Sequence, residues 1–339
     1  MVRAVVEDAR QAVAVLLGTR PRQVVFTSGA TESVNTAVWG AVRARPGAPV
    51  VLAGVEHSSV RQASARLADI VEVPVDRHGR IDPGAVDDAI RRSAAGGLAP
   101  ALVHCQAANH EVGTVQPVEQ VVAVCRDHDV PVHVDAAAAA GHLPLHFDEL
   151  GADLMSVSAH KLGGLPGCGA LLVRRGRRLD PLLLGGDQER GRRAGLENVP
   201  GIVAFGAAAE VLGQPGRLEH EATAAWQSTR RLLEAAGAVP DVTVLGDPDD
   251  RLPHLVCLAV GGVEAEPILL GLDQAGIAAH SGSSCSSEGL EPSPVLAAMG
   301  ADAERSLRMS VGWSTTDDDV DAFCSAFASV VSTLRALRS

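Results

Sequence analysis

Short apolar runs recur along the first two hundred residues, and stretches with apolar positions three and four apart separate several of them. The runs at 23–27, 50–53, 70–75, 101–106, 131–135, 153–159 and 168–173 are rich in Val, Leu and Ala and too short for helices. They predict strands. The stretches at 33–44, 82–93 and 118–128 carry the helical spacing. Such alternation predicts an α/β fold with a mostly parallel central sheet flanked by helices, and binding sites in such sheets gather at the carboxyl ends of the strands. Beyond about residue 215 the pattern changes to a long helix at 217–236, a strand at 255–260 and a final helix at 317–337. A large domain over 1–214 and a smaller C-terminal α/β domain over 215–339 are therefore expected, and 339 residues suffice for two cores.

Composition narrows the classes. The chain is 46% apolar and 21% charged, and no run of about 18 apolar residues predicts a membrane span. The first ten residues carry Glu7 and Asp8 and lack the basic-then-apolar order of a signal peptide, so the cytoplasm is the expected compartment. With a net charge of −12 and no basic stripe interrupted by aromatics, no nucleic-acid partner is expected. The stretch Arg174-Arg175-Gly176-Arg177-Arg178 reads as a solvated turn. Six cysteines form no CxxC pair and no Cys/His ligand spacing, so no metal site is expected. Cys105 and Cys257 lie in apolar runs and read as core residues of a reducing compartment.

Of 29 basic residues only one, Lys161, is lysine. Arginine can replace lysine as a surface cation but cannot form a Schiff base, so Lys161 is suspect before any motif is considered. It follows a strand and sits in Ser158-Ala159-His160-Lys161, before Gly163-Gly164. Burial among polar groups would lower its pKa, and Ser158 and His160 could reach a phosphate. Ser28-Gly29-Ala30-Thr31-Glu32-Ser33 joins a strand to a helix with small residues that could cradle a phosphate; a plain N-cap explains them equally well. Asp135 ends a strand, where an aspartate can keep a pyridinium nitrogen protonated or can cap the next segment. Together with the sole lysine, these strand ends point to pyridoxal 5′-phosphate (PLP). His57 ends another strand and could stack on a cofactor ring or be structural. Cys285, in Ser281-Gly282-Ser283-Ser284-Cys285-Ser286-Ser287, has no apolar neighbour and reads as a functional thiol in an exposed loop. Arg308 alternates with apolar residues and suits either a substrate carboxylate or a structural ion pair.

In this order the chain resembles the cysteine desulfurases of the class V aminotransferase family, PLP enzymes of fold type I. The resemblance is carried by FTSGATESVN (26–35), EHSSV (56–60), ANHEVGTVQP (108–117), 135–141, SAHKLGGLPGCGAL (158–171), GGDQERGRRAGLEN (185–198), 281–296 and 306–312. It implies that Lys161 bonds the cofactor and later moves protons, that Asp135 pairs with the ring nitrogen and that His57 stacks on the ring. Ala30, Thr31, Ser158 and His160 would hold the phosphate, and Arg308 and His110 would face the substrate. L-cysteine would be the substrate, alanine the product, and the sulfur would be left as a persulfide on Cys285. A homodimer and a sulfur-acceptor protein, which is an iron–sulfur scaffold, a tRNA thiolation protein or a cofactor-biosynthesis protein, are the implied partners. Four departures accompany the match. The family normally begins with a further segment of several dozen residues, so a late start or a truncation is expected. His110 replaces an asparagine, Ala138 a glutamine and Leu196 a threonine. A selenocysteine lyase or a cysteine or cystine C–S lyase would need the same lysine and aspartate, and a non-catalytic relative is the third reading.

Overall fold

A computed structural model describes residues 2–281 and 292–337, and its contacts divide the chain into two compact units. The first comprises Met1–Pro74, Ile81–Ala108 and Gln116–Leu218; the second comprises Val75–Arg80, Asn109–Val115 and Glu219–Ser339.

In the first unit, helix α1 (Val2–Leu16) precedes strand β1 (Val24–Thr27), and α2 (Ala30–Ala44) follows it. The chain then runs through β2 (Val50–Ala53), α3 (Ser58–Leu67), β3 (Ile70–Val73), α4 (Pro83–Ala95), β4 (Leu102–Gln106), α5 (Val118–Asp127) and β5 (Val132–Asp135). A short α6 (Phe147–Leu150), β6 (Leu154–Ser158), β7 (Gly169–Val173) and α7 (Val199–Leu212) complete it. The seven strands form one sheet in the order β1-β7-β6-β5-β4-β2-β3. β3, β2, β4, β5 and β6 are parallel, whereas β7 runs antiparallel to both β6 and β1. The expected mostly parallel α/β sheet is therefore present. Its central strands are buried along their whole length, as sheets covered on both faces require. On one face Val34, Ala37 and Val38 of α2 and Val60 of α3 pack on Val25, Leu52, Leu102, Leu154 and Leu171.

A buried ion pair ties α1 to this sheet. Nη1 and Nη2 of Arg10 each lie 2.7 Å from a Glu189 oxygen, and both residues are buried. Glu189 Oε2 also accepts the Phe26 N–H at 2.9 Å, and the Arg10 guanidinium lies 4.6 Å from the centre of the Phe26 ring. Glu189 and Arg190 hold left-handed φ of 48° and 60°, a conformation unusual for side chains with a Cβ.

Helix α8 (Arg217–Gly237) starts two residues before the second unit's main segment, and β8 (Val242–Leu245), β9 (Leu255–Val260), α9 (Ala265–Gln274), β10 (His280–Ser281), α10 (Pro294–Ala298), β11 (Ser306–Ser310) and α11 (Asp317–Ala336) follow in order. The second unit's sheet, β10-β11-β9-β8, is antiparallel throughout. Val256, Leu258 and Leu307 pack against Leu232 of α8, Ile268 and Leu272 of α9 and Phe323 and Phe327 of α11. A capping box between Thr316 and Asp319 fixes the start of α11. Among the described residues no helix is long and apolar enough to cross a membrane.

The ion pair yields a prediction. Glu189→Ala leaves the buried Arg10 guanidinium with only the half-exposed Glu7 carboxylate, 3.2 Å from its Nε, and should destabilise the first unit by about 3 kcal/mol. Chemical denaturation followed by circular dichroism measures the change.

Candidate active site

The antiparallel β7 brings three strand ends together. Gly169 is the register partner of Thr27 on one side and of Ser158 on the other. A Cβ at Gly169 would lie 2.6 Å from Gly29 Cα and 2.6 Å from the Val157 carbonyl oxygen, both backbone atoms. Only glycine allows the start of α2 to approach the end of β6 this closely. Gly29 is the N-cap of α2 and offers no side-chain cap, so the first amides, those of Ala30 and Thr31, have no capping oxygen. Ser158 Oγ faces Gly29, 3.7 Å from where a Cβ would sit, and is 3.0 Å from His160 Nδ1. An uncapped helix start beside a hydroxyl and an imidazole is a ready anion cradle.

Lys161 follows at once, in a 3₁₀ turn over Ala159–Leu162. It is exposed, as is His160, so the buried setting expected for the lysine is not found. The reason is local: β6 ends at Ser158, and the turn lifts Lys161 off the sheet while its carbonyl lies 3.2 Å from His142 Nε2. Partial burial and then the neighbouring Lys161 ammonium lower the His160 pKa, which favours a neutral imidazole.

Asp135 ends β5 opposite Ser156 of β6 and is only 8% exposed. Its Oδ1 accepts the Ala137 N–H at 3.0 Å and the Ser156 hydroxyl at 3.2 Å. Oδ2 has no hydrogen-bond partner among the described residues, so one lone-pair edge of the carboxylate is left for a donor. Because Ser156 and Ser158 are two residues apart on one strand, Asp135, Ser158 and the start of α2 share a sheet face. Ser156 was not singled out from the sequence; its signal is the polar alternation Ser156-Ser158 inside a buried strand. His57 caps α3 with Nδ1, which accepts the Ser59 N–H at 3.1 Å, so the neutral ring carries its proton on Nε2.

Arg308 and His110 belong to the second unit. Arg308 lies in β11 between Cys257 and His280, and its Nη1 donates to the His110 carbonyl at 3.2 Å. Among the described residues no ion pair holds it. His110 Nε2 is 3.5 Å from Glu111 Oε1, a buried carboxylate that also accepts the Ser293 hydroxyl. Cys285 lies outside the described residues. Burial raises every described thiol: Cys125 and Cys257 to about 12, Cys168 to about 11, Cys105 well above the ordinary range and Cys324 by less. Among the described residues no cluster of three or more metal-binding side chains occurs.

The aminotransferase class-V model matches residues 1–323. The chain belongs to the class-V aminotransferase family. Cysteine desulfurase IscS of Methanosarcina thermophila is 37% identical over 336 residues, which cover 96% of this chain and 81% of that protein. A cysteine desulfurase of Nostoc sp. is 40% identical over 98% of this chain and 83% of its own length. Among solved structures, a NifS-like protein superposes with a TM-score of 0.87 at 29% identity, covering 98% of this chain and 89% of that one. Class-V aminotransferases of this kind depend on PLP, and the residues present fit it. The uncapped helix start and Ser158 suit its phosphate, the open edge of Asp135 suits its ring nitrogen, and Lys161 supplies the amine. Ala138 and Leu196, where relatives of this kind were expected to carry glutamine and threonine, are half-buried and exposed.

Gly169→Ala forces a methyl group against two backbone segments and should cost about 1–3 kcal/mol of stability. It should also weaken PLP binding, because α2 must move away from Ser158. Denaturation midpoint and PLP titration, measured side by side, check both effects.

Proposed function

We propose that this chain is a PLP-dependent cysteine desulfurase that converts L-cysteine to L-alanine and carries the sulfur as a persulfide on Cys285. The observation that carries the reading is the single lysine, Lys161, set immediately after a strand end shared with an anion cradle and one strand from Asp135. Curated relatives named as cysteine desulfurases, similar over nearly the whole chain, support the reaction assigned.

When bound, PLP supplies an electron sink that stabilises negative charge at the substrate Cα. The chain's own residues do the rest. Lys161 Nζ holds the cofactor and then moves the proton at the substrate Cα. Asp135 Oδ2 would keep the proton on the ring nitrogen, and His57 would stack on the ring. The amides of Ala30 and Thr31, with Ser158 and His160, grip the phosphate. Arg308 takes the substrate carboxylate, and His110 lines the substrate. The Cys285 thiolate attacks the substrate sulfur: a sulfur–sulfur bond forms and the substrate C–S bond breaks. Its electron pair stays on the carbon, which takes a proton and leaves as alanine. Reactivity falls to Cys285 because the five described thiols are held protonated by burial. A homodimer, a cytoplasmic location and a sulfur-acceptor protein, scaffold or thiolation protein, complete the proposal.

The test follows alanine and bound persulfide after L-cysteine is added to the PLP-loaded chain. The wild type should form both, Lys161→Ala neither, and Cys285→Ser no persulfide. Sustained sulfide release by Cys285→Ser at the wild-type rate would instead identify a C–S lyase.

A further inference from the structure

Below Asp135, on the same face of the first unit's sheet, lie two histidines that the proposed reaction does not use. His104 of β4 and His133 of β5 are register partners, and both are fully buried. Their Nδ1 atoms are 2.9 Å apart, and the rings meet edge to face with centroids 4.9 Å apart. One Nδ1 must donate and the other accept, so the bond fixes opposite tautomers on the two rings. Each Nε2 is buried with no hydrogen-bond partner among the described residues. Two apolar side chains would leave no polar atom orphaned, so the pair is a departure from core rules of the kind that marks functional sites.

Its position suggests the function. Two residues further along the same strands, and therefore on the same face, Gln106 stands opposite Asp135. On the β6 side His133 is paired with Leu154, part of the apolar cluster beneath α2. Among the described residues the charge that acts on His133 is Asp135, and the group that acts on His104 is His133. Glu56 acts instead on Cys105, which alternates to the opposite face. Burial lowers His133 to about 4 and His104 well below its ordinary value, and Asp135 opposes this only in part. Both rings are therefore neutral across the physiological range. A charged His133 would compete with a cofactor for the Asp135 carboxylate; a neutral one leaves it to the ring.

We propose that His133, locked by His104, is a positioning residue for Asp135: the imidazole pair fixes β4 against β5 beneath the carboxylate and keeps Oδ2 aimed at the cofactor's ring nitrogen. The inference rests on the PLP reading above. Backbone hydrogen bonds join the two strands, but a directional side-chain bond also fixes their relative height and closes the back of the carboxylate to water.

The test compares wild type, His133→Leu, His104→Leu and His133→Asn as PLP-loaded proteins. PLP dissociation constants, the pH profile of the cofactor's visible band and melting temperatures are measured together. Both leucine variants should bind PLP roughly tenfold more weakly, the low end for a group supporting a direct contact, and their band should titrate at a shifted pH. His133→Asn, whose amide can still bond His104, should recover most of both losses. Leucine variants with a lowered melting temperature but wild-type PLP affinity and pH profile would reduce the pair to a structural role and overturn the inference. If His133→Leu does not fold, His104→Leu decides alone, because it removes the same hydrogen bond. A wild type that takes up no PLP overturns the functional reading itself, an outcome distinct from variants that match a PLP-binding wild type.

Discussion

The close approach of Gly29 to Gly169 is the constraint on which the first unit's chemistry depends. A strand antiparallel to its neighbours puts its first residue beside the last residues of β1 and β6. With no side chain at that point, the open start of α2 lies against Ser158, and the turn carrying Lys161 begins next. Asp135 ends the next strand on the same face. The groups proposed to meet phosphate, amine and ring nitrogen are thus placed by the backbone register of four adjacent strands rather than by flexible loops, as a preorganised site requires. The Arg10–Glu189 pair supports this arrangement from behind, because Glu189 also holds the Phe26 amide of β1.

Electrostatics divide the remaining labour. A chain of net charge −12 keeps one lysine and places it exposed at a strand end. Thiols in the cores are driven up by burial and are inert, and the buried histidines are driven down and stay neutral. Burial therefore silences groups that would compete with the reaction, which leaves chemistry to residues at strand ends and in exposed segments.

Much of this was legible in the sequence. The strand expected at 153–159 is Leu154–Ser158, and that at 131–135 is Val132–Asp135. Short, wholly apolar runs between turn residues are hard to misread. The helix expected from 33 begins at Ala30, because Ala-Thr-Glu continues the helix up to the flexible Gly29; the supposed phosphate loop is the helix's first turn. The direction of β7 could not be read, since parallel and antiparallel partners present the same apolar residues. The Arg10–Glu189 pair spans 179 positions, and no local pattern announces it. Neither His104 nor His133 carries a local signal, since only strand register pairs them. Scarcity rather than geometry marks Lys161, and its exposure follows from the 3₁₀ turn that no strand pattern announces.

Because the chain has one lysine, its central claim can be tested by trapping. The chain is loaded with PLP, reduced with borohydride, digested and analysed by mass spectrometry. The account predicts one phosphopyridoxyl group per chain, on the peptide containing Lys161. An unmodified Lys161 after loading and reduction, with label absent or confined to the N-terminal amine, would contradict it.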